Sequence, residues 1–123
     1  MSGNKYMLDT NTVLYVLKGD EVLANFLYQE SLFISVITEI ELLSYKHITT
    51  SEENQIRSFI SEFEIIGIDD AIKEKSIRVR KSYGLKLPDT LIVASALHLD
   101  LPLVTSDKQF KQIKELELIY NEK

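Results

Sequence analysis

The sequence has 123 residues, a formal net charge of −5 and no cysteine. This length fits one domain with a substantial core, and the missing cysteine excludes disulfides and thiolate metal sites. The negative charge argues against a protein that coats nucleic acid non-specifically, but it permits a nuclease with carboxylates in its site. The apolar run behind the N-terminus is cut by Asp9 and is too short for a signal peptide or a membrane span. We therefore expect a cytoplasmic protein without a membrane partner.

Short apolar runs alternate with longer helical patterns along the chain. The apolar runs predict five strands, at residues 6–8, 32–36, 64–68, 103–105 and 116–120. Helical patterns lie at residues 11–18, from there to about residue 29, and at residues 39–46. Apolar residues at positions 56, 59, 60 and 63 form the stripe of an amphipathic helix. Two further helical patterns run from residue 69 or 70 to 83 and from residue 89 to 99. Thr50 and Glu53 are a candidate capping box for the helix that carries the stripe. Asp69 or Asp70 is the candidate cap of the next helix, and Gly84 ends it.

The alternation of strands and helices predicts the fold class. Parallel βαβ units with right-handed crossovers build a small α/β sheet with helices on both faces. The helix at residues 89–99 has almost no polar face, so we expect it to be buried in the middle of the molecule. In such sheets, ligands bind beyond the carboxyl ends of the strands. That edge is where a functional site is expected.

Four acidic residues fall at this edge. Asp9 ends the first strand, Asp107 follows the fourth, Asp89 opens the buried helix, and Glu41 lies about one turn into the helix after the second strand. Each taken alone has a structural explanation, as a helix cap, a dipole partner or a solvated residue. Together they would repel one another unless a cation or a proton were bound. Because Mg²⁺ and Mn²⁺ prefer oxygen ligands, the pattern indicates a hard-metal site.

The segments MLDTN, ITEIELL, PDTLIVASAL and LVTSDKQF resemble, in this order and spacing, the motifs of the PIN domain family, and most of all the VapC-type toxin ribonucleases. The resemblance covers essentially the whole chain and implies one PIN-like domain at residues 1–123 with strand order 3-2-1-4-5. It implies an endoribonuclease that hydrolyses RNA with one or two Mg²⁺ or Mn²⁺ ions. The implied catalytic residues and metal ligands are Asp9, Glu41, Asp89 and Asp107.

The resemblance also implies supporting residues and partners. Thr10, Asn11 and Thr105 are the implied supporting groups that position the acids or a water molecule. The implied partners are the RNA substrate, a second copy in a homodimer, and an antitoxin whose helix lies in a hydrophobic groove. The apolar helices at residues 13–17 and 22–27 are candidate walls of that groove. Lys108 and Lys111 are candidate phosphate contacts, because they follow Asp107 closely. The basic stretch 73–86 is either a solvated helix face or an RNA contact, and for residues 73–81 the solvated face is favoured.

One ambiguity concerns two glutamates on the same predicted helix. Glu39 and Glu41 are two positions apart, so they face away from each other and only one can point into the site. Periodicity alone does not decide between them, and the motif selects Glu41.

Other interpretations compete with the nuclease. A haloacid dehalogenase-type phosphatase would need a second aspartate at position 11, where this chain has Asn11. A response-regulator receiver would need paired acids beside the first strand, which are absent, although Asp69 lies near the position of its phosphorylated aspartate. A PIN fold kept as an RNA-binding or scaffold module often lacks one or more acids, and all four are present here. A housekeeping PIN nuclease without an antitoxin stays open.

Overall fold

A computed structural model describes residues 3–123. Its strands are β1 Lys5–Leu8, β2 Ser31–Ser35, β3 Glu64–Ile66, β4 Leu103–Thr105 and β5 Leu118–Tyr120. They form one parallel sheet in the order β3-β2-β1-β4-β5. The predicted parallel sheet and the predicted order 3-2-1-4-5 are therefore confirmed. The central strand β1 lies between β2 and β4, so its carboxyl end stands in the middle of the sheet edge.

The α-helices in the described part of the chain are α1 Thr10–Leu17, α2 Glu21–Leu27, α3 Val36–Leu43, α4 Thr50–Ile60, α5 Asp70–Tyr83 and α6 Leu87–Leu99. A short 3₁₀ helix, Lys108–Gln112, follows β4. Within residues 3–123, no helix combines the length and the apolar character that crossing a lipid bilayer requires.

Two apolar clusters cover the two faces of the sheet. Tyr6 and Leu8 of β1 pack into one cluster with residues of α1, α2 and α4, and Met7 packs into the other with residues of α5 and α6. This division follows from the strand period of two, which sends successive side chains to opposite faces. Helix α6 is buried over residues 90–96, as its sequence predicts. The buried helix brings its N-terminus, and Asp89 with it, to the edge where β1 and β4 end.

Several predicted boundaries are wrong by a few residues. Helix α3 begins at Val36 rather than at residue 39, because the Ser35 side chain caps it by accepting a hydrogen bond from the Ile37 N–H. Strand β3 ends at Ile66 rather than at residue 68, and β5 begins at Leu118 rather than at residue 116. These shifts leave the order of elements unchanged.

The capping box predicted at Thr50 and Glu53 forms one residue earlier. Thr49 Oγ1 accepts a hydrogen bond from the Glu52 N–H at 3.0 Å, and Glu52 Oε1 accepts one from the Thr49 N–H at 2.9 Å. The sequence TTSEE offers two overlapping Thr-x-x-Glu pairs, which is why spacing alone could not separate them. At the next helix, Asp69 is the cap of α5 rather than Asp70, and Gly84 ends the helix with a φ of +66°.

Candidate active site

The four predicted acids lie around one cleft at the carboxyl ends of the central strands. The cleft has a volume of about 150 Å³, and it is lined by Asp9, Thr10, Asn11, Glu41, Asp89, Ile92 and Asp107. The acids reach it from four separate segments: the end of β1, the middle of α3, the first turn of α6 and the loop after β4. The topology thus brings together side chains that are far apart in the sequence.

Asp9 is the most buried of the four acids and has the most hydrogen bonds. Only 5% of the residue is exposed. Its Oδ1 accepts hydrogen bonds from the Thr12 N–H at 2.9 Å and from the Thr12 hydroxyl at 2.6 Å, and its Oδ2 accepts one from the Thr105 hydroxyl. Because a carboxylate has about four acceptor positions, one position is left, on Oδ2. Asp9 therefore caps α1, as expected for an aspartate at the start of a helix, and it also lines the cleft.

Thr12 is a site residue that the sequence analysis missed. Its hydroxyl lies 2.6 Å from Asp9 Oδ1 and 3.0 Å from the Val104 carbonyl oxygen, and only 1% of the residue is exposed. The hydroxyl has one proton, and the charged, nearer acceptor takes it. The signal was present in the spacing, because the third residue of a helix faces its cap. The supporting residues predicted from the sequence are instead its neighbours Thr10 and Asn11.

We expect Thr12→Val to destabilise the protein by about 1.5–3 kcal/mol, because a hydrogen bond to a buried charge is lost while the side-chain shape is kept. Thr12→Ser keeps the hydroxyl and should recover most of this loss. Urea denaturation measures the difference. Thr90→Val is the matched control, since the fully buried Thr90 hydroxyl donates to the neutral Lys86 carbonyl at 2.8 Å. Equal losses at the two positions would refute the special role of the Thr12–Asp9 contact.

Thr10 contacts Glu41 rather than Asp9. The Thr10 hydroxyl donates to Glu41 Oε1 at 2.6 Å, and it lies 3.1 Å from the hydroxyl of the fully buried Thr38. Thr38 is a second residue that the sequence analysis missed, one helical turn before Glu41 on α3. Of the two glutamates, Glu41 lines the cleft and Glu39 does not, in agreement with the choice made from the motif.

Thr105 links two of the acids. Its hydroxyl donates to Asp9 Oδ2 and accepts a hydrogen bond from the Asp107 N–H at 3.0 Å, and the residue is fully buried. Of the three predicted supporting residues, Thr105 therefore contacts Asp9, Thr10 contacts Glu41, and Asn11 is an exposed residue at the wall of the cleft.

Asp89 and Asp107 are bridged by a glutamine that the sequence analysis also missed. Gln109 Nε2 donates to Asp107 Oδ2 at 2.7 Å and to Asp89 Oδ2 at 3.2 Å. The Gln109 N–H donates to Asp107 Oδ1 at 3.0 Å, so that Asp107 caps the 3₁₀ helix. Asp107, like Asp9, both caps a helix and lines the cleft.

The environment of Asp89 shows that the acids influence one another. Its burial raises its pKa above the usual value of 3.8, and the negative charges of Asp107, Glu41 and Asp9 raise it further, whereas the Gln109 amide acts in the opposite direction. Burial disfavours the ionised form, and like charges nearby do the same. The negative charges of the other three acids therefore lie close enough to disfavour the ionisation of Asp89.

The donor set fits a divalent cation chemically. The acids supply only carboxylate oxygens, which Mg²⁺ and Mn²⁺ prefer, and their mutual repulsion is what such a cation would relieve. In the positions that the side chains of residues 3–123 take, no group of three or more His, Cys, Asp or Glu residues is arranged to hold a metal ion. Glu41 is hydrogen-bonded to Thr10, and Asp89 and Asp107 share the Gln109 amide. An ion would therefore have to draw the carboxylates inward.

The two lysines predicted to contact phosphate lie outside the lining of the cleft. Lys108 is exposed and directly follows Asp107. The Lys111 ammonium lies 3.9 Å from the centre of the Tyr120 ring, in a cation–π contact. The structure therefore gives Lys111 a partner within the chain that the sequence did not suggest.

Comparison with known proteins supports the family resemblance over most of the chain. The family model of the PIN domain matches residues 6–116. A chain of VapBC2 from Rickettsia felis, bound to a promoter DNA fragment, is 26% identical, with a TM-score of 0.86 and coverage of 96% of this chain and 99% of that one. A chain of a toxin–antitoxin complex from Klebsiella pneumoniae is 31% identical, with a TM-score of 0.82 and the same coverage.

A chain of VapBC-1 from nontypeable Haemophilus influenzae is 25% identical, with a TM-score of 0.74 and coverage of 94% of this chain and 97% of that one. No curated protein matches the sequence significantly. The match to the family model extends over nearly the full chain, and the fold has the strand order that the resemblance implied. The chain therefore belongs to the PIN domain family, a family of nucleases, and within it is similar to chains of VapBC toxin–antitoxin complexes.

Proposed function

We propose that this protein is an Mg²⁺- or Mn²⁺-dependent endoribonuclease that hydrolyses RNA phosphodiester bonds, and that it is the toxin of a VapBC-type pair. Membership of the PIN family supports nuclease activity, and the VapBC neighbours support the toxin type. The observation that carries the proposal is the convergence of four acids from four separate segments on one cleft. Helix capping explains two of these positions but not their convergence.

In this proposal, Asp9, Glu41, Asp89 and Asp107 hold one or two ions. A bound ion would supply an activated water and neutralise charge on the phosphate. Thr12 and Thr105 fix both oxygens of Asp9, so this carboxylate keeps its orientation when substrate enters, whereas the Thr10 hydroxyl holds Glu41 in the ion-free protein and Glu41 moves inward to reach an ion. The cleft itself therefore requires little reorganisation of Asp9.

Other residues of the cleft bind the substrate and exclude water in this proposal. Ile92 is 1% exposed and forms an apolar part of the lining. Asn11 is exposed at the wall, where its amide can donate to a phosphate oxygen. Lys108 is the preferred phosphate contact, and Lys111 is a weaker one because its ammonium already lies against Tyr120.

An apolar groove supports the proposed antitoxin partner. The groove lies between α1, α2 and α4 and has a volume of about 300 Å³. Its apolar lining consists of Val16, Ala24, Leu27, Tyr28, Leu32, Phe59 and Phe63, and Gln29, Glu30 and Glu62 add polar groups. Residues of both predicted walls, 13–17 and 22–27, contribute to it. An amphipathic helix docks in such a groove through its apolar face. We also propose, from the family resemblance, a homodimer located in the cytoplasm.

Cleavage of a mixed cellular RNA pool tests the proposed activity. We expect purified protein to cleave RNA with Mn²⁺ or Mg²⁺ but not with EDTA, and to leave DNA of the same sequence intact. We expect Glu41→Gln to lower the rate by at least about tenfold, because one ligand loses its charge.

Glu39→Gln is the matched control, since Glu39 lies on the same helix outside the cleft lining. Cleavage that persists in EDTA, or that falls equally in the two variants, would contradict the proposal. Ion binding without cleavage of any RNA would favour a binding module instead.

A further inference from the structure

The side-chain amide of Gln109 lies in the gap between two of the proposed metal ligands. Its Nε2 is 2.7 Å from Asp107 Oδ2 and 3.2 Å from Asp89 Oδ2. An amide nitrogen has two N–H groups, so it can donate to both carboxylates at once. Each of these oxygens faces a donor from Gln109 in place of a cation.

The position of Gln109 is determined by its surroundings. Its backbone N–H donates to Asp107 Oδ1 at 3.0 Å, which ties the residue to the same carboxylate that its side chain contacts. The next residue, Phe110, is 1% exposed and anchors the 3₁₀ helix in the apolar cluster that contains Met7 and residues of α5 and α6. The amide therefore reaches the cleft from a well-anchored segment.

We infer that the Gln109 amide takes the place of the cation in the ion-free protein. The amide donates to Asp89 Oδ2 and Asp107 Oδ2 and withdraws from both when an ion binds. The inference rests on the proposed function, because it requires a divalent ion in this cleft. Mg²⁺ lies about 2.0–2.1 Å from its oxygen ligands. These distances are shorter than the 2.7 and 3.2 Å from the same oxygens to Nε2, so an ion held by both oxygens would draw them together and leave no room for the amide between them.

The amide should lower the affinity of the cleft for its ion. It stabilises the ion-free protein by giving two negative groups a donor, and this contact is lost when the ion binds. Without the amide, the two carboxylates face each other with no donor between them, and the ion has no competitor. Because hydrogen bonds to charged groups are among the stronger ones, we expect removal to tighten ion binding roughly tenfold.

The test is calorimetric titration of the full chain with Mn²⁺ alone, without RNA, after circular dichroism has shown that each variant is folded. Gln109→Leu keeps the side-chain size and removes the donors, and it should bind Mn²⁺ roughly tenfold more tightly than the wild type. Gln109→Ala should also bind more tightly. Gln112→Leu, at an exposed position of the same 3₁₀ helix, is the matched control and should bind like the wild type.

Gln109→Lys separates displacement from simple disruption of the helix. A lysine places a charged competitor at the gap, so it should weaken Mn²⁺ binding, opposite to Gln109→Leu, whereas disruption would move both variants in the same direction. Weaker or unchanged binding in Gln109→Leu, with wild-type binding intact, overturns this inference and leaves the proposed function standing. A wild-type protein that binds no Mn²⁺ overturns both.

Discussion

We expect Asp9→Asn to abolish ion-dependent RNA cleavage, lowering the rate by at least about a hundredfold, because a charged metal ligand contributes several kcal/mol to transition-state stabilisation. The fold should survive. Asparagine is as good a helix cap as aspartate, and its Oδ1 still accepts from Thr12, while its Nδ2 donates to the Thr105 hydroxyl oxygen and so reverses that contact. The relief of repulsion in the cleft offsets these weaker hydrogen bonds. We therefore expect the free energy of unfolding without ion to change by less than about 1 kcal/mol. Cleavage assays and urea denaturation measure the two effects.

Asp69→Asn is the control for the capping explanation. Asp69 caps α5 by accepting a hydrogen bond from the Ile72 N–H at 2.8 Å, and it does not line the cleft. If Asp9 were only a cap, the two substitutions would behave alike and both proteins would cleave RNA. A large loss of stability in Asp9→Asn alone, with cleavage retained, would show that the carboxylate has a structural task only.

We expect Asp89→Asn to lower the rate of RNA cleavage by a similar factor. Without ion and at neutral pH, this variant should melt at a higher temperature than the wild type. Burial and the neighbouring charges raise the pKa of Asp89 in the folded protein above its usual value of 3.8. The folded state therefore holds this proton to higher pH than the unfolded state does, and ionisation of Asp89 destabilises the fold as pH rises above about that value. Asparagine cannot ionise, so it avoids this loss.

Thermal denaturation in EDTA from pH 3.5 to 7.5 measures this difference. The advantage of Asp89→Asn should shrink toward the acid end, where Asp89 is mostly protonated in both states, and grow toward neutral pH. Each comparison is made at one pH, because Asp20, Glu52 and Glu115 have lowered pKa values, so both proteins lose stability in acid. With saturating Mn²⁺ the order should reverse, since only the wild type gains from binding.

Asp70→Asn is the control for this experiment. Asp70, like Asp89, is an acid in the first turn of a helix, but it lies outside the cleft. Its replacement should lower the melting temperature slightly, through a weaker interaction with the helix dipole. A wild-type protein that is more stable than Asp89→Asn in EDTA at neutral pH would contradict the proposed crowding of charge.

The arrangement of the chain could be predicted from its hydrophobic pattern. Short apolar runs identified the strands, and the uniformly apolar helix at residues 89–99 identified the element that passes through the middle of the molecule. Once the sheet is parallel, Asp9 and Asp107 must lie at one edge, because each follows a strand. The cleft that the acids share follows from this topology, while their role as ligands stays a proposal.

The contacts that hold the acids could not be predicted in the same way. Thr38 contacts Thr10, and Gln109 contacts Asp89 and Asp107, through tertiary packing, and nothing in their local sequence distinguishes them from ordinary helix residues. Thr12 had a local signal, but its neighbours Thr10 and Asn11 offered equally suitable capping groups. Lys111 stacks on Tyr120, nine positions along the chain, through a contact that exists only when the 3₁₀ helix packs beside β5.

The most direct test of the proposed metal site is a crystal structure of the protein grown with Mn²⁺, with an anomalous difference map recorded at the manganese edge. We predict a peak in the cleft within ligand distance of carboxylates of Asp9, Glu41, Asp89 and Asp107, with the Gln109 amide turned away from the gap. No peak in the cleft at saturating Mn²⁺, with the amide still bridging Asp89 and Asp107, would contradict it.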